Sequence, residues 1–146
     1  MNSRALPRAS AADAVFALLD PIPYGCFVAA LVFDIVYARS AVILWDKAAA
    51  WLIVIGLLAC AIPRLLNLLA VWAAPARARV RGARLDFWLN LLAIIAAIVN
   101  AFVHSRDAYA VVPAAQWLSL CTVALMAIGR IVIAMQPIAR LEVRHD

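Results

Sequence analysis

Asp86, Asn90, Ala93, Ala97, Asn100 and His104 recur at alternating spacings of four and three residues within one apolar stretch. On a helix that spacing places all six on one face, so a stripe of polar and small side chains runs along it. At about 1.5 Å per residue the stripe extends roughly 27 Å, close to the hydrocarbon thickness of a bilayer. Its carboxylate and imidazole could exchange protons, and its amides could hydrogen-bond to neighbouring helices. The opposite face carries Leu91, Leu92, Ile94, Ile95, Ile98, Val99 and Phe102, which suit lipid. One side of this helix therefore faces protein or a polar path.

The other polar residues sort into two depths once the remaining helices are placed. Four long apolar stretches run from about 22 to 37, 48 to 72, 85 to 103 and 114 to 136. Each approaches the ~20 residues needed to span a bilayer, the first only when joined to the segment before it. The runs are continuous instead of alternating, which selects helices over the strands of a barrel. With 68% hydrophobic residues and a mean hydropathy of +0.99, composition agrees. The expected fold is an all-α, integral membrane four-helix bundle forming one domain over the 146 residues.

One polar layer gathers Asp20 and Asn90 with Asp86, Arg64, Asn67 and Arg130, drawn from all four helices. An unpaired charge inside a bilayer costs at least ~2.5–3.5 kcal/mol, so carboxylate and guanidinium groups in one layer are expected to pair. Arginine suits this through its planar fork. Such pairs staple helix ends, or each arginine reaches out to headgroups; a substrate or anion site is the sharper alternative. The second layer holds Asp34, Asn100, His104, Gln116 and Ser119. His104 stands beside Ser105, Arg106 and Asp107, which favours an interfacial position over a proton shuttle. Asp34 is expected to bond to Asn100 or pair with Arg39. Between the layers, Ala93 and Ala97 face Gly56, Ala59 and Cys60 in the simplest packing.

The pI of about 9.7 does not indicate nucleic-acid binding. The basic residues lie mainly in loops and termini, and the segment 73–84 holds Arg77, Arg79, Arg81 and Arg84 without an acid. Placing that segment in the cytoplasm also places Arg4, Arg8, Arg140 and Arg144 there, leaving Arg39, Lys47 and Arg106 outside. The positive-inside rule thus gives both termini cytoplasmic, in a multi-pass membrane protein. Tyr37, Trp45, Trp51, Tyr109 and Trp117 then form an outer aromatic belt, with Trp72 and Trp88 at the inner interface. Residues 1–19 form a polar, partly amphipathic segment with a capping-box pattern at Ser10–Asp13. Its apolar run, interrupted by Asp20 and Pro21, lacks the form of a cleavable signal.

Cys26, Cys60 and Cys121 form no C-x-x-C pair, and two histidines offer no zinc spacing, so no metal site is expected. No phosphate loop and no nucleophile with its base occurs, so the chain leans away from an enzyme.

Asp20-Pro21, Pro23-Tyr24-Gly25, Phe33-Asp34 and Tyr37, then Trp45, Trp51-Leu52 and Gly56, form a recognisable series. Arg84 to Asp86, Asn90, Asn100 and Gly129 continue it. Over residues 20 to 130 the chain resembles a family of small bacterial four-helix membrane proteins of unknown function. The resemblance implies the fold and no activity. Asp20 and Asp86 replace two histidines of the family pattern, and Arg130 replaces a tryptophan. If the family's histidines bind haem or a metal, those positions cannot ligate haem here, and no cofactor is expected. Two carboxylates could instead hold a hard cation or pair with Arg64 and Arg130. The functional expectation is a non-enzymatic accessory subunit that meets the lipid bilayer and a membrane partner or a second copy. The alternative is a small proton or ion carrier using Asp34, Asp86, Asn100 and His104. A haem protein is the weakest reading, because His104 and His145 are the only histidines.

Overall fold

The computed structural model describes residues 18–73, 81–106 and 110–135, with side chains for 18–61, 85–106 and 110–135. It contains α1 (Pro21–Ser40), α2 (Ile43–Ala73), α3 (Arg81–His104) and α4 (Ala114–Ala134). All four are long and apolar enough to cross a membrane. The amphipathic segment expected at 1–19 and most of the arginine-rich connection 73–84 lie outside the described residues.

Each helix turns a stripe of heptad-like spacing inward, three and four residues apart by turns. On α1 the stripe is Pro23, Phe27, Ala30, Asp34 and Tyr37. On α4 it is Ala115, Ser119, Thr122, Met126 and Gly129. Asp46, Ala49, Ile53, Gly56 and Cys60 form it on α2, and Asp86 to His104 form it on α3. Shared spacing of 3.5 residues keeps one seam facing the partners along the whole length, as in left-handed bundles. The helices form a ring in which α1 neighbours α2 and α4, and α3 neighbours α2 and α4. Asp20 meets Arg130 at one end and Asp34 meets Ser119 at the other, so α1 and α4 run antiparallel. We call the end bearing the α1–α2 and α3–α4 connections the hairpin end.

The middle is apolar and close-packed: Phe27, Ala30, Ala49, Ile53, Ala93, Ala97 and Met126 form one buried cluster. Ala93 and Ala97 occupy the core as expected, and the nearest neighbours of Gly56 lie on α1. A side chain on Gly56 would lie 3.0 Å from the Phe27 ring and 3.2 Å from Cys26, both on α1. The large ring of α1 fills the notch, while α3 presents alanines to the shared centre. Outward-facing side chains such as Trp51, Leu58, Trp88, Phe102 and Trp117 are exposed, as lipid contact requires. Tyr37, expected in the aromatic belt, is buried on the inward stripe of α1.

Helix boundaries move most at the first connection. The expected stretches ended at 37 and restarted at 48, yet only Ala41 and Val42 separate α1 from α2. Ala41 makes this possible by adopting the left-handed conformation, φ 54° and ψ 20°, and donating its N–H to the Tyr37 carbonyl at 2.8 Å. Glycine is the usual residue there, because a Cβ in that region costs roughly 1–2 kcal/mol. Ala41→Gly removes that cost against ~0.4–1 kcal/mol of added unfolded-chain entropy. A gain of up to about 1 kcal/mol is expected, read as a higher unfolding midpoint in detergent.

Candidate functional site: a buried acid–imidazole cluster

Asp34 lies six residues before the end of α1, about 9 Å from the hairpin end, where water cannot reach its carboxylate. The structure satisfies it from two other helices. The Ser119 hydroxyl of α4 donates to Oδ2 at 2.5 Å, and His104 Nε2 of α3 lies 2.9 Å from Oδ1. The Asn100 amide donates to Ser119 Oγ at 2.7 Å, and the Gln116 amide donates to the Asp34 carbonyl oxygen at 3.2 Å. Asp34, Asn100, His104 and Gln116, with Ser119, therefore assemble into one cluster.

One expectation about this layer, the partner of Asp34, is corrected. His104 is 4% exposed, although Ser105 and Arg106 beside it are exposed. As the last residue of α3 it still belongs to the inward stripe, and helical phase outweighs nearness to a polar loop. Asp34 bonds to His104 and Ser119, and touches Asn100 only through the Ser119 hydroxyl. Arg39, five residues further along α1, points to an outer groove instead.

Sequence reasoning missed Asp46. It lies just before the expected start of the second stretch at 48, where an acid is favourable to the helix dipole and normally solvated. Here its side chain is fully buried, and its Oδ1 lies 3.9 Å from His104 Nε2. Its Oδ2 lies 3.3 Å from the ammonium of Lys47, whose side chain is 57% exposed. Neither Asp46 oxygen accepts a hydrogen bond, and the side-chain Oδ1 of Asn100 is likewise buried without one. The available signal was phase: Asp46 precedes Ala49, Ile53, Gly56 and Cys60 at three- and four-residue spacing.

The ring of His104 decides what the cluster can do. Nδ1 lies 3.0 Å from the Asn100 backbone oxygen, which can only accept. Nε2 faces the Asp34 carboxylate. A neutral imidazole has one donor and one acceptor nitrogen, so both contacts are hydrogen bonds only when an extra proton is held. With both contacts made as hydrogen bonds, one proton is shared between Asp34 Oδ1 and His104 Nε2. With Asp46 and Lys47 included, two carboxylates, one ammonium and one such proton sum to zero charge.

At the other end, the described residues place Asp20 with Arg130 and Asp86 with Asn90. Arg130 Nη2 contacts Asp20 twice, at 3.0 Å to Oδ2 and at 2.9 Å to the backbone oxygen, and the guanidinium lies over Tyr24. Asp86 is buried and accepts from Asn90 one turn on, at 2.6 Å to Oδ1 and 2.8 Å to the backbone oxygen. Arg64 and Asn67 have side chains outside the described residues. Asp20 pairs with an arginine across a partly exposed helix end, whereas Asp86 is housed against α4. Among the described residues, no group of three or more His, Cys, Asp or Glu side chains is arranged to hold a metal ion.

No protein-family model, curated protein or solved structure matches the chain. The site therefore rests on its own geometry.

Gly129 makes the seat for Asp86: an added Cβ would stand 2.7 Å from Asp86 Oδ1 and 3.2 Å from the Asn90 amide. Gly129→Ala must displace that oxygen and its Asn90 bond, and overpacking of this kind costs typically ~1–3 kcal/mol. A lowered unfolding midpoint is expected, with much of the loss recovered in the Gly129→Ala, Asp86→Ala double variant. Additive losses in the double-mutant cycle would show that the two sites do not touch.

Proposed function

We propose that this protein is a non-enzymatic, multi-pass subunit of a bacterial inner membrane whose buried Asp34–His104–Asp46 cluster takes up a proton from one side. The observation that carries this reading is the His104 ring, with an acceptor-only carbonyl at one nitrogen and a carboxylate at the other. Asp46 and the exposed Lys47 give the cluster a polar contact with the hairpin end, whereas the apolar centre closes the opposite direction. Asn90 and Asn100 are ten residues apart on α3, so about 15 Å of close-packed side chains separate the two polar ends. Beyond Ser119 the described residues offer a proton only the Thr122 hydroxyl, bonded to the Leu118 carbonyl oxygen, before the apolar cluster. The proposal is thus a proton-responsive element, not a through-carrier.

The proposed orientation puts both termini and the 73–84 segment in the cytoplasm, and the hairpin end outside, on the arginine distribution. Descent from the bacterial four-helix family, with Asp20 and Asp86 at its two histidine positions, belongs to the same proposal. Both ring nitrogens of His104 are engaged, which supports a proton role over haem ligation.

Oriented proteoliposomes test the reading. An acid pulse on the hairpin side is expected to produce proton uptake that is lost in Asp34→Asn and in His104→Gln, while a pulse on the other side produces no uptake that depends on these residues. Asp46→Asn is expected to weaken uptake by removing one of the two carboxylates near the ring. Equal uptake by wild type and both Asp34 and His104 variants would overturn the site, and equal access from both sides would overturn its one-sidedness.

A further inference from the structure

A second feature stands on separate observations. A groove of about 430 Å³ runs between α1 and α4 near the hairpin end, lined by Leu31, Ile35, Arg39, Gln116, Trp117 and Leu120. Its volume falls in the ~300–1,000 Å³ range of small-molecule sites. Leu31, Ile35 and Arg39 follow one another at four-residue spacing, so the α1 wall rises about 12 Å from apolar side chains to a guanidinium. The lining holds no acid, and Arg39 makes no hydrogen bond or ion pair with any described residue. Trp117, 64% exposed, gives the α4 wall an amphipathic ring of the kind that sits at headgroup depth.

An apolar trough ending in an unpaired arginine has the layout of an amphiphile with a long chain and an anionic head. A guanidinium accepts phosphate oxygens bidentately and is weakly hydrated, which suits a headgroup at the bilayer edge. We propose that this groove holds a membrane phospholipid of net negative charge, its acyl chain against Leu31, Ile35 and Leu120 and its phosphate on Arg39. Gln116 connects this site to the buried cluster: it lines the groove and donates to the Asp34 carbonyl oxygen. The groove's occupancy does not depend on the proton reading, because none of its lining residues is Asp34, Asp46 or His104.

Native mass spectrometry of the full-length protein, released from nanodiscs of equal phosphatidylglycerol and phosphatidylcholine, provides the test. Retention of phosphatidylglycerol over phosphatidylcholine is expected. Arg39→Gln should cut that preference about fivefold, the ratio matching one basic residue's attraction for an anionic headgroup. Ile35→Trp, which fills the trough, should abolish retention of both lipids while leaving Arg39 in place. Soluble glycerol phosphate should not displace the lipid. Equal retention of the two lipids by wild type, an unchanged preference in Arg39→Gln, unchanged retention in Ile35→Trp, or displacement by glycerol phosphate would each overturn the proposal.

Discussion

A carboxylate two turns inside a helix of apolar residues is the constraint around which the hairpin end is organised. Lipid cannot solvate Asp34, and an isolated charge at that depth would be expelled or neutralised. The bundle answers with one polar contribution per helix: Ser119 from α4, His104 from α3, and Asp46 beyond the ring from α2. Neither Ser119 nor His104 can move without leaving the buried Asp34 carboxylate short of a partner, which costs more than a typical hydrogen bond contributes. The cluster therefore fixes the rotation of α1, α3 and α4 about their axes. The same groups make up the candidate site, so structural register and candidate chemistry rest on one set of residues.

The centre and the opposite end obey a different constraint, namely close approach. In lipid no hydrophobic force draws helices together, so packing contacts and hydrogen bonds between them must suffice. Ala30, Ala49, Ala93 and Ala97 are all essentially fully buried, which lets the four backbones converge around Phe27, Ile53 and Met126. Two glycines extend the idea. Gly56 admits the Phe27 ring, and Gly129 admits the Asp86 carboxylate. The second is the more consequential, because it lets a buried acid and its asparagine lie against the backbone of a neighbouring helix.

The number of helices, their inward stripe on α3 and the two polar ends were legible because each rests on a long periodic pattern. Every residue of the α3 stripe is buried, from Asp86 at 6% to Ala93 at 0%. What escaped the sequence were features set by neighbours. Asp46 fell outside the expected second stretch, which began at 48, since nothing local reveals that only two residues join α1 and α2. His104 has exposed polar sequence neighbours, but its own phase belongs to the core. Small residues on two helices suggest mutual contact, yet a small residue can equally receive a large one, as Gly56 receives Phe27 of α1. Asp20 and Asp86 share a depth, and depth alone does not say which partner each finds.

The division into two polar ends has a consequence for any conformational response. A proton arriving at the Asp34–His104 pair changes the charge of a group that touches α1, α3 and α4 directly and stands 3.9 Å from Asp46 on α2. Losing that proton leaves either two lone pairs face to face at Nδ1 and the Asn100 oxygen, or a carboxylate without its imidazole donor. Either outcome weakens a tie between α1 and α3, two helices that are not ring neighbours and otherwise share the apolar centre. A shift at that tie therefore acts on a close-packed core that has little room to deform. Gln116 lies where such a shift would first reach the membrane surface, because it contacts the backbone of Asp34 on one side and the groove beside Arg39 on the other. A proton site and a lipid groove that share this residue can bias one another, and thermodynamic linkage makes any such bias reciprocal.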